Sequence, residues 1–342
     1  SGTAALHIAV AAAGIGPGDE VITTPITDIG TISGILFQQG VPVFVDLEPS
    51  TYNLDPKAVA RAITPRTKAI IAVHLAGTPA DLAPLRALAD QHRLVLIEDC
   101  AQAWGAKYRG QPIGTVGHVA CFSLMNSKHI GSGDGGVVAS NDPRIGPELL
   151  KFSDKGNERT TPGYTWDKTA VLASNFRMSE LQAGFAAAQL QRLEAIATKR
   201  AALGRILIEG IAQAPGVIPP QVNPSDRGTF WFFYFRLQLD RLRCTRAEFA
   251  EALRAEGAAC SAGYIPVPIY KLPYFQAHSF FAGRWPIKEL GLTQMDYTKV
   301  KCAEAEAILA TGIQCTLNES MSETLMQETA AAIRKVAKHF AG

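Results

Sequence analysis

Short apolar runs alternate with helix-length segments through the first 140 residues. Residues 3–13 are small and Ala-rich and follow Ser1-Gly2, which predicts a helix. The first N–H groups of such a helix favour an anion, although a plain N-cap accounts for the same residues. A β-rich run at 20–24 leads into Pro25-Ile26-Thr27-Asp28, and a second apolar segment covers 29–37. Residues 42–47 read as a strand with Asp46 at its end. Asp55-Pro56 opens a helix to about 63, with proline at the first helical position. A strand at 69–74 and a helix from Thr78-Pro79 to about 92 follow, then strands at 94–97, 119–124 and 135–140. Near-continuous apolar strands are those covered on both faces, and repeated strand–helix alternation predicts a parallel sheet with crossover helices.

The second half has a different texture. Residues 151–174 show weak periodicity, and so long a loop in a compact domain points to a functional role or to a misread element. Ser179 caps a predicted long helix running toward Ile211, with Leu181, Phe185, Leu190, Leu193 and Ile196 as its apolar positions. An aromatic strand at 230–239, a helix at 245–256 ended by Gly257, and a proline-interrupted connection at 260–270 come next. Ser320-Met321-Ser322-Glu323 has capping-box spacing and opens a last helix to Phe340. The fold class is therefore α/β: a large domain with a mostly parallel central sheet over 1–212, ending in a linking helix, and a smaller C-terminal α+β domain over 213–342.

Composition narrows the function. The chain has 342 residues, a net charge of +2 and 47% hydrophobic residues, an ordinary globular profile. No basic stripe points to nucleic acid, and no apolar run approaches the roughly 20 residues of a membrane span. Six cysteines lie scattered without C-x-x-C spacing, which suits free, mostly buried thiols in a reducing cytoplasm. The abrupt opening at Ser1-Gly2-Thr3 suggests that a leading segment has been removed.

The chemistry concentrates between Leu96 and Gly136. Asp99 ends one apolar run and Lys128 follows another, with Gln102 and Ser123 close by. Ligands of open α/β sheets bind beyond the carboxyl ends of the strands, so both polar sets face one crevice. An acid, an amide, a hydroxyl and a lysine there are the parts that hold pyridoxal phosphate. Lys128 supplies an amine that attacks a carbonyl when unprotonated, and the cluster 131–136 (GSGDGG) lets backbone approach a ligand. Asp99 can keep a pyridine nitrogen protonated, Gln102 can pack on the ring, and Ser123 can donate to the phosphate. Each has an everyday reading too: a surface lysine, an N-cap at Ala101, a surface amide and a local backbone bond. No metal-ligand pattern competes.

The joint order D-x-x-Q, S-x-x-x-x-K, then a glycine cluster resembles the DegT/DnrJ/EryC1/StrS sugar aminotransferases, which are fold-type-I pyridoxal-phosphate enzymes. The likeness extends to SGTAAL at the start and to NFRMSELQAG from Asn175. It implies that Lys128 forms the imine with pyridoxal 5′-phosphate and shuttles the proton, that Asp99 pairs with the pyridinium nitrogen, and that Gln102 stacks on the ring. It further implies that Gly2, Thr3 and Ser123 bind the phosphate, and that Asn175 reaches the phosphate of a neighbouring subunit in a homodimer. Three features depart from the resemblance. Asp28 follows Thr27 where an aromatic is common, Tyr270 stands where a histidine is common, and the segment before Ser1-Gly2-Thr3 is missing. His129 and His74 read as packing or solvated histidines.

The activity implied is transfer of an amino group from glutamate or glutamine to a keto sugar, most readily a nucleotide-linked one. Lys128 argues against the dehydratase branch, which carries histidine there. An aminocyclitol precursor is the alternative acceptor, given weight by Asp28, and a non-catalytic scaffold is the rival of a different class.

Overall fold

The computed structural model describes residues 1–157 and 171–341. In chain order its elements are α1 (Gly2–Ala12), β1 (Glu20–Thr23), α2 (Gly30–Phe37), β2 (Val41–Phe44), α3 (Pro56–Ala62), β3 (Thr67–Val73), α4 (Leu82–His92), β4 (Val95–Asp99) and a small hairpin, β5 (Lys107–Tyr108) with β6 (Gln111–Pro112). There follow β7 (Val119–Ser123), β8 (Gly136–Ala139), α5 (Gly146–Ser153), α6 (Glu180–Leu190), α7 (Leu193–Ile211), β9 (Val217–Ile218), β10 (Phe233–Leu237) and α8 (Arg246–Ala255). The chain ends with β11 (Cys260–Ser261), two one-turn helices, α9 (Pro273–Gln276) and α10 (Pro286–Glu289), then α11 (Ala303–Thr311), β12 (Gly312–Cys315) and α12 (Glu323–Phe340).

The large sheet runs β2-β1-β3-β4-β7-β8, parallel except for β8, which returns antiparallel to β7. Both faces are covered, as the apolar strands predict. Along β3, Ile70 and Ala72 join one core while Ala69 and Ile71 join another under α1. Strand order reverses at β1, so the crevice beyond the carboxyl ends of β1, β3, β4 and β7 is where a ligand belongs. The second sheet, β11-β12-β10-β9, is antiparallel and packs under α7, α8 and α12 through Leu203, Phe233, Phe249 and Ile333. Residues 264–309 lean back on the large sheet: Phe44 packs against Tyr270 and Tyr297, and Asp46 accepts from the Glu304 and Ala305 N–H groups that start α11.

Several boundaries differ from the sequence reading. The helix read from Ser179 to Ile211 is two helices, α6 and α7, broken at Gln191 and Arg192; the Ser179 cap holds, with Gln182 completing a capping box. Helix α4 begins at Leu82 rather than beside Thr78-Pro79. Asn53 Nδ2 donates to the carbonyls of Thr78 and Pro79, and His74 Nδ1 accepts from Ala80 N–H, so residues 78–80 stay extended. The last helix is capped by Ser322, not Ser320. Much of the 151–174 loop lies outside the described residues, although its first three positions end α5.

Candidate active site

Strand ends build the site. Asp99 closes β4 and is buried. Its Oδ1 accepts from Ala101 N–H (3.1 Å) and its Oδ2 from the Thr31 hydroxyl (2.8 Å), which in turn sits 2.7 Å from the Thr27 hydroxyl. Burial raises the Asp99 pKa, opposed by those two hydrogen bonds and by the charge of Lys128. Each oxygen keeps a lone pair, so this carboxylate suits a cationic N–H donor.

Lys128 lies in the turn after β7, where its backbone N–H donates to Met125 O. Its ammonium rests on the face of Trp231, 3.3 Å from the ring centre. Burial lowers its pKa to about 8, against the raising effect of Asp99 and Asp28. With that value about a tenth of the amine is unprotonated at pH 7, against far less than one per cent for a free lysine. Asp99 and Lys128 each shift the other's titration, so two strand ends bring them into one crevice.

Gln102 is locked at both ends of its amide. Oε1 accepts from Ala76 N–H (2.8 Å) and Nε2 donates to the Tyr264 hydroxyl (3.2 Å). With those hydrogen bonds committed, what it can offer a ligand is its flat face. Ser123 is buried at the end of β7 and its hydroxyl accepts weakly from Met125 N–H, so the local backbone bond anticipated for it is present. It also faces the start of α1: a Cβ on Gly2 would fall 2.8 Å from Ser123 Cβ, and one on Gly136 only 2.1 Å from Ser1 O. Glycine is required at both. The Ser1 hydroxyl accepts from Ala4 N–H, the plain N-cap anticipated for this helix, which leaves the exposed Thr3 hydroxyl and the first N–H groups of α1 as donors that could meet an anion.

Asn175 does not join this set. It is exposed, bridges to Asp154, and its side chain accepts from Arg177. His129 is buried and neutral: burial and the Arg200 charge press its pKa to about 3, and its Nε2 lies 3.1 Å from Thr229 O. His74 Nδ1 accepts from Ala80 N–H, so its Nε2–H donates to Glu98. Burial alone would raise Glu98, but hydrogen bonds from His74, Gly117 and Gly114 outweigh it. His74, Glu98 and Cys100 stand close together, and with both imidazole nitrogens engaged His74 ties β4 to the turn at Ala80. Tyr270 is likewise structural, donating to Glu306 and accepting from Cys302 N–H. Sequence reasoning missed Thr31, Trp231 and Tyr264. Trp231 was hidden inside an aromatic run, and Tyr264 carried a faint signal in its Tyr-x-Pro setting.

Comparison with known proteins decides the family. The DegT/DnrJ/EryC1/StrS aminotransferase family model matches residues 1–334. The chain belongs to this family. Among DegT/DnrJ/EryC1/StrS relatives, it is 36% identical to L-glutamine:2-deoxy-scyllo-inosose aminotransferase of Streptomyces lividus over 99% of this chain and 81% of that one. It is 39% identical to UDP-N-acetyl-3-dehydro-alpha-D-glucosamine 3-aminotransferase of Acidithiobacillus ferrooxidans, covering 80% and 71%. The crystal structure of S. venezuelae DesV in complex with a ketimine intermediate superposes with a TM-score of 0.82 at 31% identity, covering 99% and 83%. With the DegT/DnrJ/EryC1/StrS family established, the chain is a pyridoxal-phosphate-dependent aminotransferase.

Proposed function

We propose that this enzyme moves an amino group from glutamate or glutamine to the keto group of a polyhydroxylated ring, a nucleotide-linked sugar or an aminocyclitol precursor. The observation that carries the reading is the pairing of a burial-raised Asp99 with a burial-lowered Lys128 at neighbouring strand ends. Pyridoxal phosphate, when bound, supplies a carbonyl that takes up the amino group and a ring that accepts electrons. Asp99 would hold the ring nitrogen protonated, Gln102 would offer its flat face to the ring, and Gly2, Thr3 and Ser123 would take the phosphate. Lys128 holds the cofactor and then carries the proton at the carbon that gains or loses the amine. The scaffold reading has no use for a buried lysine resting on Trp231 with its pKa lowered to about 8, and the family's aminotransferase relatives speak against it too. The cyclitol reading draws on Asp28 and on the S. lividus relative.

The working unit in this proposal is a homodimer in the cytoplasm, with Asn175 of each protomer serving the neighbouring phosphate. Support comes from α6, whose only buried residue is Ala186 while Leu181 is 88% exposed. All six cysteines are free, and no helix among the described residues is long and apolar enough to cross a membrane. The division into domains falls near residue 212.

The purified protein, loaded with cofactor, shows a visible absorbance band, and borohydride bleaches it while leaving a covalent adduct at Lys128 detectable by mass spectrometry. Lys128→Ala shows neither. Adding glutamate or glutamine moves the wild-type band to that of the aminated cofactor. A wild-type protein without band or adduct overturns the proposal.

A further inference from the structure

Beyond the end of β1, Thr27 is buried and Asp28 is exposed. Thr27 turns inward, where its hydroxyl meets Thr31 and through it Asp99. Asp28 turns outward and is exposed at the rim of the crevice. Its Oδ1 accepts from Gly30 N–H at 2.7 Å, which fixes the carboxylate at the start of α2. A Cβ on Gly30 would sit 2.9 Å from Asp28 Oδ1 and 2.6 Å from Thr3 Oγ1, so the carboxylate shares one small patch with the hydroxyl at the mouth of the anion cradle. Oδ2 is uncommitted, and no ion pair among the described residues includes Asp28.

This carboxylate faces the chemistry. Its charge raises the titration of Lys128 and of the Tyr264 hydroxyl, which Gln102 holds over the site. Lys128 is met from other elements by Asp99 at the end of β4, by the Trp231 ring, and by its neutral neighbour His129. The wall of the crevice that carries Asp28 therefore presents a carboxylate oxygen, Oδ2, that no residue of the chain engages. A ligand group placed there either donates a hydrogen bond or is repelled.

Resting on the aminotransferase reading above, we propose that Asp28 is a specificity-determining residue: it selects ring substrates bearing a hydroxyl or ammonium group beside the carbon served by Lys128, and turns away those bearing an anion there. Neutral polyols and amino-bearing rings fall in the accepted class, and rings with a neighbouring carboxylate in the rejected one. A capping role alone would make no such distinction.

The test uses cofactor-loaded enzyme and ring amines as probes: cyclohexylamine and its derivatives with a trans hydroxyl, amino or carboxylate group on the adjacent carbon. Binding is read from the shift of the visible band, not from turnover. Wild type binds the amino and hydroxyl derivatives tightest and the carboxylate weakest. In Asp28→Asn, whose amide oxygen still caps Gly30, the advantage of the amino derivative falls about tenfold and the carboxylate gains about tenfold, the fold-change of losing one charge-assisted contact. The pH midpoint of the band also falls, because a negative charge that favoured protonated nitrogen is gone. Asp28→Ala behaves like Asp28→Asn if charge is what matters; a cap requires instead that Asp28→Asn match wild type. Unchanged relative affinities or an unchanged midpoint in Asp28→Asn overturns the proposal. Absence of the band from wild type defeats the aminotransferase reading instead, so the two failures are distinct.

Discussion

Thr31 shows how far one hydroxyl can matter. It donates to a carboxylate that burial has already pushed upward, and it stands between Thr27 and Asp99 in a buried relay. Replacing it by valine keeps the shape and leaves Asp99 Oδ2 and Thr27 Oγ1 short of a partner, at a cost of about 1–3 kcal/mol. The hydroxyl stabilises only the charged form of Asp99, so its loss raises that pKa further. The deficit of Thr31→Val is thus fully present above the raised folded value of Asp99 and fades as pH falls through it. Urea unfolding of the apoenzyme across that range checks the slope, and Thr31→Ser restores wild-type behaviour. A deficit independent of pH would show that the relay carries no charge. At this scale the sequence pointed to Asp99, Gln102, Ser123 and Lys128, because each stands next to a strand end and carries chemistry by type. Thr31, Trp231 and Tyr264 reach the same crevice from a helix start and from the second half of the chain, and apart from the Tyr-x-Pro setting of Tyr264 spacing holds little trace of such distant approaches.

Among the elements, the start of α1 and the first residue of β8 are pressed together at Ser1, Gly2 and Gly136. Gly136→Ala would drive a methyl group into Ser1 O, a backbone atom that moves only if the helix start moves with it. The cradle for phosphate opens, while Asp99 and Gln102 on β4 and its turn stay in place. Affinity for pyridoxal phosphate is expected to fall tenfold or more, about 1.4 kcal/mol or greater, while affinity for pyridoxal without its phosphate barely changes. Spectral titration with both compounds separates this from general misfolding, which would weaken both alike. The parallel strands were legible for a plain reason: a strand buried on two faces has an apolar run at its heart, as Ala69, Ile70, Ile71 and Ala72 give β3 and Val95, Leu96 and Ile97 give β4. The break between α6 and α7 was not, since Gln191 and Arg192 are good helix formers and neither glycine nor proline marks the spot. The late start of α4 was hidden for another reason, because Asn53 and His74 hold residues 78–80 from outside that segment.

For the whole molecule, α6 poses the question that a single chain leaves open. Its apolar stripe reads in sequence as a core face, yet Leu181, Phe185 and Leu190 are exposed at 88%, 57% and 44%. A capping box at Ser179 holds the helix in shape, and Gln182 Nε2 donates to Asp134 O, fastening it beside the 131–136 turn that follows Lys128. A helix so bare and so near the site is what a second copy would cover, and contiguous apolar surface of this kind marks an interaction face. Pairing there would also give the exposed Asn175 a task, since within its own chain it stands apart from Asp99 and Lys128. The double substitution Leu181→Glu and Phe185→Glu puts like charges face to face across a two-fold contact while leaving the buried Ala186 untouched. Sedimentation velocity is expected to shift from dimer to monomer, and cofactor affinity to drop with it. Asn175→Ala should lower cofactor affinity without changing the sedimentation, which separates a shared phosphate site from mere assembly. A double variant that stays dimeric would move the interface away from α6, and an Asn175→Ala protein that binds cofactor like wild type would leave each site complete within one chain.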